Sequence, residues 1–134
     1  MIAVDTSVAV AAFGEWHELN ERAAKVLDQG AALPVHALLE TYSVLTGFPP
    51  PHRAPTEVVD AWLESRFERI LPAPEADEQR DLVRRLAKLG RPGGVVYDAL
   101  ICLTSQRAGA TLITADRRAV SIYELLEVPF EMLS

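Results

Sequence analysis

The chain has 134 residues, of which 49% are hydrophobic and 24% charged, and its formal net charge is −6. A chain near this length buries roughly 70% of its unfolded surface, so a single domain over residues 1–134 is expected, with no need of disulfide staples. The balance excludes disordered and fibrous chains, the negative charge argues against a broad positive surface for nucleic acid, and no apolar run approaches the ~20 residues of a membrane span.

The N-terminus lacks the basic region and cleavage pattern of a signal peptide, which predicts a cytoplasmic protein with no membrane partner. Ile2 to Val4 reads as a short buried strand, followed by a small helix through Phe13. From His17 to Gln29 the apolar positions Leu19, Ala23, Val26 and Leu27 keep helical spacing, and Gly30 suits the stop. Ala32 to Val35 makes a second apolar run, and Leu38, Leu39, Tyr42 and Leu45 then form one face of a helix ending near Gly47.

The stretch PPPHRAP, Pro49 to Pro55, cannot continue a helix, because proline lacks the amide donor and clashes with the preceding turn. A helix from Pro55 to Glu68 turns Val59, Trp62, Leu63 and Phe67 inward, and Ile70 and Leu71 form a third strand. Glu75 to Leu89 is a helix with Leu82, Val83, Leu86 and Leu89 as its buried stripe. Arg66, Arg69, Arg80, Arg84, Arg85 and Arg91 crowd this third of the chain, where solvated helix faces are the plain expectation.

After the loop GRPGG come a helix from Tyr97 to Ala108, the strand Thr111 to Thr114, a helix from Arg117 to Leu126 and a final apolar run around Phe130. The single cysteine, Cys102, sits among Leu100, Ile101 and Leu103 and reads as a small buried residue. Trp16, Trp62 and Phe67 are expected in the core. Short apolar strands alternating with helices predict an α/β fold whose parallel sheet is covered on both faces.

Such a sheet collects ligands at the carboxyl ends of its strands. Asp5 and Asp116 follow the first and fourth strands and so belong to one edge of it. Asp5, Asp98 and Asp116 each also have a plain role as helix caps. Glu40 does not: it lies inside a helix beside its apolar face, where a carboxylate is costly unless paired or bound to a cation.

If these carboxylates converge, two of them about 4 Å apart repel by roughly 1 to 4 kcal/mol, and a cluster asks for a divalent cation or for protonation. Oxygen ligands favour magnesium or manganese over zinc. Carboxylate-bound magnesium suits phosphoryl chemistry. Thr6, Ser7 and Thr114 are candidates for orienting a carboxylate or a water, although such hydroxyls also make local turn bonds. His17, His36 and His52 are assigned no catalytic role.

Four segments, VDTS with Asp5, ALLETYSVLT with Glu40, VVYDALI with Asp98 and TLITADRR with Asp116, stand in an order that resembles the PIN-domain nucleases. The likeness is closer still to the VapC-type toxins of type II toxin–antitoxin pairs, and with PPPHR and YELLEVPFEML it extends over essentially the whole chain. The resemblance implies a three-layer α/β/α PIN-like fold with a central, mainly parallel sheet of about five strands. It implies an endoribonuclease that uses magnesium, for which manganese substitutes, with Asp5, Glu40, Asp98 and Asp116 as the catalytic, metal-holding quartet.

Water is then the nucleophile, the products carry a 5′-phosphate and a 3′-hydroxyl, and the substrate is structured RNA such as tRNA or a ribosomal RNA loop. Cleavage stops translation. The resemblance also implies a homodimer and a VapB-type antitoxin with a DNA-binding N-terminal part and an extended tail that blocks the site. Arg117 and Arg118 are candidates for phosphate contacts, and Ala119 and Val120 stand where many relatives carry a larger aromatic residue.

Two other readings share these features. A phosphoacceptor receiver domain has a similar acidic pocket, but it needs a lysine after a late strand, and neither Lys25 nor Lys88 is placed there. A catalytically silent PIN-like scaffold would simplest arise by loss of ligands, and all four carboxylates are present.

Overall fold

Ile2, Ala3 and Val4 carry no polar side chain and form β1 (Ile2–Val4), a strand covered on both sides. The computed structural model describes all residues, 1–134. After β1 come α1 (Thr6–Phe13), α2 (Asn20–Asp28), β2 (Leu33–Pro34), α3 (Val35–Gly47), α4 (Thr56–Arg66) and β3 (Ile70–Leu71). The chain continues with α5 (Ala76–Lys88), α6 (Val95–Arg107), β4 (Thr111–Thr114), α7 (Val120–Leu125) and β5 (Phe130–Met132).

All strand pairs are parallel, as helical crossovers require. β1, β4 and β5 form a three-stranded sheet in the order β1-β4-β5, and β2 and β3 form a separate pair. A bridge between Ala3 and Ala32 links the two, with Val4 N donating to Ala32 O at 3.1 Å and Ala32 N to Ile2 O at 2.9 Å. The expected five strands are therefore present, but the ladder is continuous over only three. Pro34, which has no amide to donate, ends β2 after two residues.

Helix α1 packs against both α2 and α3, α3 packs against α4, and α5 and α7 flank α6. The expected α/β/α layering follows, around one contiguous apolar cluster that includes Val4, Val8, Leu33, Leu45, Ile101 and Leu112. Asp5 starts α1 by accepting from Val8 N at 3.3 Å. In α5, Asp77 and Glu78 occupy the first turn and Arg85 and Lys88 the last, each opposite in sign to the helix dipole beside it.

Several expectations are corrected. Helix α2 begins at Asn20 rather than His17, because the Asn20 side-chain amide turns back to Ala11 O and Ala12 O at 2.9 and 3.1 Å. Helix α6 begins at Val95, two residues early, just after Gly93 takes a left-handed φ of 72°. Helix α7 begins at Val120, since Asp116 to Ala119 form a turn closed by Ala119 N donating to Asp116 O at 3.1 Å.

The buried face of α3 is Ala37, Thr41 and Leu45, with Leu38 half-buried, whereas Leu39 is 64% and Tyr42 42% exposed. Apolar residues occupy more than one side of this helix, so spacing alone does not select its inner face. Thr41 enters the core without leaving a polar group unpaired, because its hydroxyl donates to Ala37 O at 2.6 Å. In α5 only Leu82 and Leu86 of the predicted stripe are buried, while Val83 and Leu89 face solvent.

Phe67 is buried and Trp62 half-buried, packed edge-on against Phe13 and Phe67, but Trp16 lies outside the core at 44% exposure. Cys102 is buried as expected, and that burial pushes its thiol up to about 12, far from a reactive thiolate. No helix is long and apolar enough to cross a membrane.

Candidate active site

Asp5 leaves the end of β1 with only 3% exposure. Its Oδ1 accepts from the Ser7 hydroxyl and from Val8 N, and its Oδ2 accepts from the Tyr123 hydroxyl at 2.9 Å. Burial raises the Asp5 pKa, against the opposing pull of the Ser7, Thr114 and Tyr123 hydroxyls and the Val8 amide. Asp5 is thus both the expected helix cap and a carboxylate facing a cleft.

Ser7 joins two strand ends. Its hydroxyl also accepts from Ala115 N at 2.8 Å and lies 3.4 Å from the buried Thr114 hydroxyl, which in turn accepts from Asp116 N at 3.0 Å. Because β1 and β4 are paired in parallel, Asp5 and Asp116 emerge at the same edge. Asp116 Oδ1 accepts from Arg118 N at 2.9 Å, a local turn rather than the cap of α7, whose N-cap is Ala119.

The other two carboxylates come from helices. Glu40, half-buried in α3, accepts from the Thr6 hydroxyl at 2.8 Å and stands 3.9 Å from His36 Nε2. Asp98 lies in the first turn of α6, where the helix dipole favours a negative charge, but it does not cap that helix.

All four carboxylates line one cleft of about 570 Å³, together with Thr6, Ser7 and Arg118. Asp98 registers their proximity: burial first, then the charges of Asp116, Glu40 and Asp5, push its pKa up to about 6, with Arg118 as the opposing charge. No three of the carboxylates close on a single point. The donor set is nonetheless all oxygen and mutually repulsive, which fits a divalent cation of the magnesium or manganese kind.

The three hydroxyls singled out in the sequence, those of Thr6, Ser7 and Thr114, all join the hydrogen-bond network of the site. Arg118 is exposed at the cleft, its Nε 3.5 Å from Asp116 Oδ1, whereas Arg117 is exposed and does not line it. Two features escape a sequence reading. Tyr123 looks like an ordinary core aromatic, and its bond to Asp5 spans 118 positions. His36 stacks on Tyr97 at 5.0 Å with the rings 4° from parallel, beside Glu40 and Asp98 respectively.

The PIN domain family profile matches residues 2–125. The chain belongs to the PIN-domain family. This PIN protein is of the VapC type: it is 46% identical to Ribonuclease VapC40 of Mycobacterium tuberculosis (strain ATCC 25618 / H37Rv) over 134 residues, 100% of both chains. The receiver-domain alternative falls with that membership.

Solved structures agree on the fold. Mycobacterium tuberculosis VapC20, described as a Sarcin-Ricin loop cleaving toxin, superposes with a TM-score of 0.71 at 18% identity, covering 90% of this chain and 94% of its own. FitAcB from Neisseria gonorrhoeae gives a TM-score of 0.69 at 21% identity, covering 97% and 96% respectively.

Proposed function

We propose that this PIN domain is a magnesium- or manganese-dependent endoribonuclease toxin that hydrolyses phosphodiester bonds in structured RNA, a tRNA or a ribosomal RNA loop, and so inhibits translation. The observation that carries this is the single cleft that Asp5, Glu40, Asp98 and Asp116 line from four separate parts of the fold. Full-length likeness to Ribonuclease VapC40 supports an RNA substrate, and the fold shared with VapC20, a Sarcin-Ricin loop cleaving toxin, supports a structured one.

The four carboxylates would hold the cation, which when bound neutralises charge on the phosphate and activates water. The chain's own groups prepare that chemistry. Thr6 orients Glu40, and Ser7 with Val8 N orients Asp5. Arg118 at the rim draws in a phosphate, with Arg117 beyond it. Hydrolysis breaks the bond from phosphorus to the 3′ oxygen, which takes a proton, and the incoming water oxygen remains on the 5′-phosphate.

The toxin role brings a cognate VapB-type antitoxin that covers the cleft, a homodimer, and a cytoplasmic site of action where the RNA is. The exposed apolar side chains of Leu39 and Tyr42, neighbours one turn apart on α3, support a protein-binding face.

The test is cleavage of a tRNA and ribosomal RNA pool by the purified chain with magnesium or manganese, with chelator, and with Asp98→Asn. Discrete cuts that need the ion and vanish in the variant are expected. Intact RNA, with a divalent ion demonstrably bound and no antitoxin present, would instead mark a silent binding scaffold.

A further inference from the structure

We propose that Tyr123 is a positioning residue, which fixes the Asp5 carboxylate so that a single oxygen lone pair is presented to a divalent cation. This rests on the metal-dependent function proposed for the cleft.

A carboxylate has about four lone-pair positions on its two oxygens. On Asp5, the Ser7 hydroxyl and Val8 N occupy Oδ1, and the Tyr123 hydroxyl takes one position on Oδ2 at 2.9 Å. Oδ2 accepts no second direct hydrogen bond: the nearby Thr114 hydroxyl, which also favours the ionised form of Asp5, is engaged with Ser7 and Asp116 N. Asp5 is held as a one-oxygen ligand, with little freedom to turn.

The tyrosine is itself immobilised. Tyr123 is fully buried, its ring meets Phe130 at 5.9 Å, and its backbone bonds Ala119 O and Val128 N, both at 3.1 Å. A buried phenol needs some acceptor. A carboxylate with 3% exposure is an expensive acceptor to provide, unless it is present for another purpose. Small octahedral cations are sensitive to the placement of each ligand, and outer partners that set a ligand's orientation typically change metal affinity by about 10- to 100-fold.

The experiment measures Mn2+ binding by calorimetry on the full chain, as wild type, Asp5→Asn and Tyr123→Phe, with circular dichroism on each. Binding by the wild type, its loss in Asp5→Asn, and about tenfold weaker binding by natively folded Tyr123→Phe are expected. Wild-type affinity in Tyr123→Phe, even with a lower Tm, makes the tyrosine purely structural and overturns the inference while the cleft's function stands. Absence of Mn2+ binding by the wild type overturns both.

Should Tyr123→Phe fail to fold, the question passes to a Tyr42→Phe/Tyr97→Phe background, in which Tyr123 is the last of the three tyrosines. Labelled there with 3-fluorotyrosine, Tyr123 gives one 19F resonance. It is expected to move as Mg2+ saturates the site, and an unmoved resonance at saturation overturns the inference.

Discussion

Thr6 Oγ1 donates to Glu40 Oε1 at 2.8 Å, tying the first residue of α1 to the interior of α3. This answers the cost of a carboxylate in that helix only in part, since one hydrogen bond does not discharge it. Thr6→Val keeps the shape and removes the donor. We expect stability to fall by about 1 kcal/mol in urea unfolding, and the RNA cleavage rate to fall about tenfold because Glu40 is no longer held. Lost stability with unchanged cleavage would show that Thr6 serves only the packing of α1 against α3.

Asp98 sets a pH dependence whose sign follows from its position. Its pKa is near 6 in the folded protein against 3.8 for the ordinary group, through burial and then the charges of Asp116, Glu40 and Asp5. Between those values the folded chain binds more protons than the unfolded one, so stability of the metal-free protein falls as pH rises from about 4 to 6. Asp5, also raised, acts in the same direction. Asp98→Asn removes the charge; with the discount due to a half-exposed group, we expect it to be more stable than wild type by about 1 kcal/mol at pH 7.5 and equal to it at pH 4. Unfolding curves of both proteins across that range, in chelator, decide the matter.

Arg118 is predicted to matter for RNA and hardly at all for folding. Its side chain is 94% exposed and its Nε stands 3.5 Å from Asp116 Oδ1, so Arg118→Ala should change stability by less than about 0.5 kcal/mol. The KM for RNA should rise severalfold at low salt, with kcat held and the difference shrinking as salt is added. Arg117→Ala should do less, because that residue does not line the cleft. A fall in kcat without a change in KM would place Arg118 at the reacting phosphate instead.

Three of the four acidic residues are legible in the sequence because each stands at a place with a rule, whereas Asp98 reads there only as a helix cap and joins them through the resemblance of VVYDALI. Asp5 and Asp116 end apolar strands, and Glu40 breaks an apolar pattern inside a helix. The inner face of α3 is not legible, since Leu39 and Tyr42 satisfy the same spacing as Ala37 and Leu45 and only the packing of neighbouring helices chooses between them. The break in the sheet between β1 and β2 escapes for a similar reason: Ala32 bridges to Ala3, but how far a ladder extends depends on tertiary register. The role of Tyr123 has no local signal, because its partner is fixed by the return of the chain to the end of β1.

Gly14 offers a test of the rigid aromatic group at the end of α1. Its backbone, φ −81° and ψ 104°, is open to any residue, so glycine is not required for its conformation. It is required for space: an added Cβ would lie 2.9 Å from Trp16 Cε2. The ring is braced by Phe48, edge-on at 5.4 Å, and by His52 at 4.2 Å with the two rings 30° apart. Alanine restricts the unfolded chain and so contributes about 0.4 to 1 kcal/mol of stability, while overpacking costs about 1 to 3 kcal/mol. The second effect wins, and Gly14→Ala should lose about 1 kcal/mol in urea unfolding. In a Trp62→Phe background, where Trp16 is the remaining tryptophan of the two, its emission should shift as the ring is displaced. A gain in stability with unchanged emission would mean that the chain around Gly14 yields and Trp16 stays in place.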